Sequence, residues 1–199
     1  RGLYCQAGGF YIDPWRKVER ALITHGHSDH ARWGMGSYLT AEPGMGVVRE
    51  RVGREAKIEG LPFGQRQRIG DVEVSFHPAG HLLGSGQIRV ARRGEVWVVT
   101  GDYKVSRDVS CEAFEPVRCD TLITEATFGL PVYRWPDSAE VFRQINEWWR
   151  SNQAQDRTSI LFAYALGKAQ RVLCGLNPDI GPIGVHGAVA KLNPHYRAA

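Results

Sequence analysis

Over the first 125 or so positions, apolar residues fall into short runs parted by glycine- and charge-rich breaks. That spacing predicts strands near 9–12, 20–24, 37–40, 72–77, 87–91, 95–100 and 121–124. Val72, Val74 and Phe76 alternate with Glu73 and Ser75, as in a strand buried on one face. Arg92-Arg93-Gly94 divides two of the runs and reads as a hairpin turn. A helix is expected to begin between Glu42 and Gly46 and to run to about Val52.

The pattern changes after Gly129, where Pro131 and Pro136 interrupt the chain. Asp137 followed three residues on by Glu140 predicts a capping box at the start of a helix. Val141, Phe142, Ile145, Trp148 and Trp149 share one face of that helix, a spacing that favours core packing over base stacking. A β-branched and aromatic strand is expected at 158–164, and Gly167 then opens a helix over 168–176. The chain is expected to be α/β, β-rich up to about residue 125. A boundary near residue 129 divides it into 1–129 and 130–199.

Composition bounds the function classes. Of 199 residues, 43% are hydrophobic and 23% charged, with no apolar run long enough to span a bilayer, which predicts a soluble globular protein without a membrane role. Cys5, Cys111, Cys119 and Cys174 lack C-x-x-C spacing and read as the reduced thiols of a cytoplasmic protein, best explained as buried small hydrophobes. The formal charge of +4 permits a polyanionic partner without requiring one. The chain starts at Arg1 rather than at methionine, which suggests an incomplete N-terminus.

The chemistry concentrates in His25-Gly26-His27-Ser28-Asp29-His30, directly after the apolar run Ala21-Leu22-Ile23. Sites in α/β folds gather at the carboxyl ends of strands. Side chains two apart in an extended stretch point the same way, so His25 and His27 can grip one cation. Asp29 and His30 can turn toward a second. Imidazole and carboxylate suit catalytic Zn²⁺, and Mn²⁺ could replace it among nitrogen and oxygen donors. His81, after Pro78-Ala79-Gly80, and Asp102, after Thr100-Gly101, also follow strands, with a glycine able to turn each into a cleft. Asp102 could bridge two cations. Asp13, at the end of Phe10-Tyr11-Ile12, reads as a residue that orients a ligand from behind. His77 is assigned a packing role. Lys168, at a helix start, could contact a phosphate or could simply be solvated.

In this order, Asp13, His25-x-His27-x-Asp29-His30, His81 and Asp102 resemble the first motifs of the metallo-β-lactamase superfamily. Leu122-Ile123-Thr124-Glu125-Ala126-Thr127-Phe128-Gly129 and Phe162-Ala163-Tyr164-Ala165-Leu166-Gly167-Lys168-Ala169-Gln170 resemble its β-CASP branch. Gly2-Leu3-Tyr4-Cys5, Tyr11-Ile12-Asp13-Pro14-Trp15 and Thr127-Phe128-Gly129-Leu130-Pro131 narrow the likeness to bacterial ligase-associated DNA exonucleases. The resemblance implies the first half of an αββα metallo-β-lactamase sandwich over 1–129. It places the start of an inserted α/β β-CASP domain over 130–199.

It also implies a DNA exonuclease of repair or processing, with two zinc ions held by His25, His27, Asp29, His30, His81 and Asp102. Asp29, Asp102 and Glu125 form the acidic catalytic set, Glu125 orienting a proton donor. DNA is the implied partner, with a DNA ligase or helicase as a further one. The branch carries two more histidine motifs. His186 in Gly184-Val185-His186-Gly187 comes too soon after Glu125 to be the last of them, so the chain reads as C-terminally truncated. The alternatives are an RNA-processing nuclease, a thioester or lactone hydrolase of the same fold, and a non-catalytic binding fragment.

Overall fold

The computed structural model describes residues 2–199. These form two five-stranded sheets and five α-helices. The first sheet is ordered β1 (Leu3–Cys5), β2 (Phe10–Ile12), β3 (Arg20–Ile23), β4 (Ser37–Ala41) and β5 (Ile58–Leu61). Its β1–β2 pair is antiparallel and the remaining pairs are parallel. In the second sheet, β6 (Gln67–Ile69), β7 (Val72–Pro78), β8 (Gly86–Arg92) and β9 (Glu95–Val99) form an antiparallel meander. The strand β10 (Thr121–Ile123) then joins β9 in parallel.

The two sheets share a core. Phe10, Leu22 and Leu39 from the first pack with Val74, Phe76 and Ile88 from the second. Ala21 and Ile23, on the opposite face of β3, pack with Tyr38 and with Val48 and Val52 of α1 (Met45–Val52). Both faces of β3 are therefore covered, which explains its unbroken apolar run. The expected hairpin forms, with Arg93 and Gly94 at φ 51° and 89° between β8 and β9.

After residue 129 the chain forms α2 (Ser138–Gln153), α3 (Lys168–Gly175), α4 (Gly187–Ala190) and α5 (Asn193–Ala198). Asp137 caps α2 by accepting from the Ala139 N–H at 2.8 Å. The capping box is only half made, because Glu140 turns to Arg143 instead. The apolar face of α2 is at most half-buried, and Trp148 is exposed, so the expected core packing does not hold there. The strand expected at 158–164 is not paired, and Phe162 is 95% exposed. A strand needs a neighbour to take its N–H and C=O groups, and none lies alongside among the described residues. Cys5, Cys111 and Cys119 are half-buried, while Cys174 is exposed and departs from the buried reading. Among the described residues, no helix is long and apolar enough to cross a membrane.

Candidate metal centre

The ligand candidates stand where strands of both sheets end. β3 ends at Ile23, and the chain tightens into a turn in which His30 N and Ala31 N donate to His27 O at 3.2 and 2.8 Å. β7 delivers His81 through Gly80 at φ 72°, and Ser85 Oγ accepts from His81 N at 3.0 Å. β9 delivers Asp102 through Gly101 at φ 57°. The Gly86 N–H donates to Thr24 O at 2.8 Å, which ties the edges of the two sheets together at this point.

One ligand atom from each of His25, His27, His81 and Asp102 falls within 4.8 Å of the others. Asp102 faces two ways. Its Oδ2 lies 3.7 Å from both His25 Nε2 and His81 Nε2, and its Oδ1 lies 3.4 Å from His30 Nε2. Asp29 Oδ2 lies 3.7 Å from the same His30 nitrogen, on a side chain that is largely exposed. The six residues that the sequence singles out as ligands are thus brought together, in a four-residue cluster with Asp29 and His30 beside it.

Behind them stands Asp13, at φ 43°. Its Oδ1 accepts from the Thr24 N–H at 2.9 Å, and its Oδ2 accepts from the Thr24 hydroxyl at 2.6 Å and His30 Nδ1 at 2.7 Å. Thr24, buried and invisible as a functional position in the sequence, is the keystone of this network. Its one proton goes to Asp13, so at 3.1 Å it can only accept from His25 Nδ1. The lone pair of a neutral His25 is then on Nε2. His27 Nε2 lies 3.3 Å from the Leu166 carbonyl, which only accepts, so the lone pair of His27 is on Nδ1. Those two lone-pair nitrogens face each other at 3.1 Å, with His81 Nε2 3.3 Å from His27 Nδ1. Bare lone pairs at that separation repel, and a cation between them turns repulsion into ligation. The donor set therefore fits a divalent ion of the zinc or manganese type.

The electrostatics point the same way. Burial, then the neighbouring His30, His27 and His81, holds His25 well below the usual histidine range. His81 is lowered by burial and by His27. Both rest neutral, the form that binds metal. Burial opposes a charge on His30, but hydrogen bonds to Asp102 and Asp13 override it and raise the group to about 10. A hydrogen bond from His30 likewise holds Asp102 below the ordinary carboxylate range. The pull of these carboxylates on a proton is the pull that a divalent cation would answer.

The remaining candidates contribute no atom to the four-residue cluster. Glu125 accepts from Thr127 N at 2.9 Å, capping its own turn, and from Tyr103 N, next to Asp102, at 3.4 Å. Lys168 is the first residue of α3, with Nζ 4.7 Å from the centre of the Tyr164 ring. His77 pairs with Glu115 and Ser75, in keeping with its packing role. His186 caps α4 by accepting from the Ala188 N–H at 3.1 Å.

Comparison with known proteins gives the class. No family model matches. A protein named Probable DNA ligase from Opitutus terrae is 33% identical over 198 residues, covering 98% of this chain and 19% of that protein. Cleavage and polyadenylation specificity factor 73 from Drosophila melanogaster is 25% identical over 89% of this chain and 29% of its own length. Endoribonuclease YSH1 from Gibberella zeae is 30% identical over 82% of this chain and 19% of its own length. The likeness is to nucleases of the metallo-β-lactamase superfamily, in its β-CASP branch. It spans less than a third of each of these three relatives. A solved structure of a protein of unknown function from Enterococcus faecalis covers 65% of the chain at a TM-score of 0.46 and 13% identity, too loose a match to place the fold.

Proposed function

We propose that this chain carries the metal centre of a metal-dependent nuclease that hydrolyses phosphodiester bonds, with DNA as its substrate and an exonuclease role in repair or processing. The observation that carries the reading is the two-way placement of Asp102, whose oxygens face His25 and His81 on one side and His30 on the other. In this reading the two facing sheets, with α1 on one outer face, are the first part of an αββα sandwich spanning 1–129. Residues 130–199 open the inserted β-CASP domain.

His25, His27 and His81 would hold one cation, Asp29 and His30 a second, and Asp102 would serve both. Zinc is the expected metal, with manganese as its substitute. Such ions supply Lewis-acid charge, neutralising phosphate oxygens and lowering the pKa of water toward neutrality. The chain's own groups prepare that chemistry. Asp13 and Thr24 fix the His25 and His30 rings, and the neutral His25 and His81 imidazoles keep their lone pairs available. Glu125 would orient a proton donor for the leaving oxygen, and Lys168 would hold a backbone phosphate. DNA is favoured by the ligase named above and by the ligase-associated sequence likeness. A DNA ligase or helicase is the corresponding partner. An RNA substrate is the second reading, favoured by the relative named as an endoribonuclease.

Metal analysis paired with cleavage of 5′- and 3′-labelled DNA and RNA strands tests this reading. About two zinc or manganese ions per chain, lost with DNA cleavage in His27→Ala, is the expected result. Cleavage of RNA alone would move the protein to the second reading. Turnover of a thioester without either strand would exclude a nuclease.

A further inference from the structure

Asp108 is a buried carboxylate that the metal centre does not use. Its Oδ2 lies 2.9 Å from Lys104 Nζ and 3.1 Å from Arg171 Nε, and its Oδ1 accepts from the Ser110 hydroxyl and N–H at 2.7 and 3.0 Å. Buried ion pairs of this kind cost desolvation and are weak grounds for stability in themselves, so what they position is the better question.

Each partner leads back to a metal-ligand candidate. Lys104 stands two residues after Asp102. Its N–H donates to Ala79 O at 2.9 Å, and its carbonyl lies so close to Gly80, next to His81, that no side chain would fit there. Arg171 belongs to α3 and also donates to Ser138 Oγ, at the start of α2, at 2.7 Å. The turn that opens α3 carries the Leu166 carbonyl, which meets His27 Nε2 at 3.3 Å. Leu166 itself is buried against Val47, Leu82 and Leu83. Contacts and chain connections together close a ring from His27 through Leu166, Arg171, Asp108 and Lys104 to Asp102 and His81, the Arg171 N–H donating to Gly167 O, next to Leu166, at 2.9 Å.

We propose that Asp108 and Arg171 are positioning residues for the metal centre, acting through the Leu166 carbonyl to hold His27 in its Nε2–H tautomer with Nδ1 open to the cation. The proposal rests on the metal reading above. It makes residues 164–171 a part of the centre, because a histidine ligand needs its second nitrogen engaged to be aimed.

Co²⁺ titration followed by its visible absorption, on the full chain, tests the ring. Asp108→Asn and Arg171→Ala are expected to weaken Co²⁺ binding tenfold or more. Val52→Ala, a core truncation in α1, should lower the melting temperature and leave that affinity at the wild-type value. Unchanged affinity in the two latch variants, or an equal loss in Val52→Ala, would overturn the proposal. Arg171→Lys, which keeps the charge and loses the fork geometry, is the variant to measure if the others do not fold. The ¹⁵N shifts of the His27 ring give an independent reading. A single Nε2–H tautomer in wild type that becomes mixed in Asp108→Asn supports the ring, and the same tautomer in both refutes it. If wild type takes up no Co²⁺, the metal reading fails, and these shifts alone decide the ring.

Discussion

His30 Nδ1 and Asp13 Oδ2 meet at 2.7 Å, and the same carboxylate oxygen accepts the Thr24 hydroxyl at 2.6 Å. One side chain thus fixes the far side of a ligand candidate and, through Thr24, the tautomer of another. Asp13→Ala is expected to weaken Zn²⁺ binding by 10- to 100-fold, as loss of a carboxylate behind a metal histidine does. It should also cost about 1–3 kcal/mol of stability, because Thr24 and His30 lose their partner. Isothermal titration with Zn²⁺ and chemical denaturation check the two effects separately. Wild-type affinity in the variant would remove Asp13 from the centre.

Metal itself should stabilise the fold. The His25 and His27 lone pairs face each other at 3.1 Å with His81 Nε2 beside them, an arrangement that a cation relieves. With Zn²⁺ at a hundredfold excess over its Kd, the gain is about 2.7 kcal/mol. Thermal melts with EDTA and with added Zn²⁺ measure it. His25→Ala and His27→Ala should abolish the difference, whereas His77→Ala should keep it, since His77 is engaged with Glu115. A chelator-independent melting temperature would contradict the site.

The ligand candidates were legible because each follows an apolar run at a strand end, a pattern that backbone geometry converts directly into convergence. His25, His81 and Asp102 are cases in point. The short strands β1, β5 and β6 were not legible, because three or four residues carry too little periodicity and take their form from neighbours. The 158–164 run shows the reverse error, strand composition with no paired neighbour among the described residues. Thr24, Leu166 and Asp108 escaped detection for a different reason. Their roles depend on a carbonyl, a hydroxyl or a distant arginine that only the folded chain brings near.

Gly80 is a point where backbone shape and site meet. At φ 72° it adopts a conformation that L side chains rarely take, and an added Cβ would collide with the Lys104 carbonyl and press on Phe114. Gly80→Ala should therefore lose about 1–3 kcal/mol. It should also displace His81 and lower Zn²⁺ affinity. Gly94→Ala, at φ 89° in the exposed hairpin with open space around it, should carry the backbone strain alone. Equal metal affinity in both variants would show that Gly80 serves the backbone and not the site.

Acid should act on the Asp108 cluster. Burial alone would raise this carboxyl, but hydrogen bonds from the Ser110 side chain and backbone, then Lys104, outweigh it and hold the group below the usual carboxylate range. A lowered folded pKa contributes stability that is fully present above the unfolded value, about 3.9, and is lost as pH falls through the folded value. Wild type should therefore lose an increment of stability below about pH 4 that Asp108→Asn has already lost at pH 7. Denaturation midpoints from pH 7 to 3 measure this, and parallel curves for the two proteins would show that Asp108 does not titrate in the transition.

Lys168 offers the sharpest test of the nucleic-acid reading. It is exposed at the first position of α3, where the helix dipole favours an anion, and its ammonium is held 4.7 Å from the centre of the Tyr164 ring. If it contacts a backbone phosphate, Lys168→Ala should weaken binding to strands of any sequence by a similar factor. It should also reduce the slope of log K against log salt by about 0.7–0.9, the value for one neutralised phosphate. Tyr164→Ala releases the ammonium without removing its charge, so affinity should fall while the slope holds. Fluorescence anisotropy with labelled single-stranded DNA across a salt series, with a chelator present to prevent cleavage, separates the two variants. A slope unchanged in Lys168→Ala would return the residue to ordinary solvation and leave the metal centre untouched, because no ligand of that centre depends on its charge.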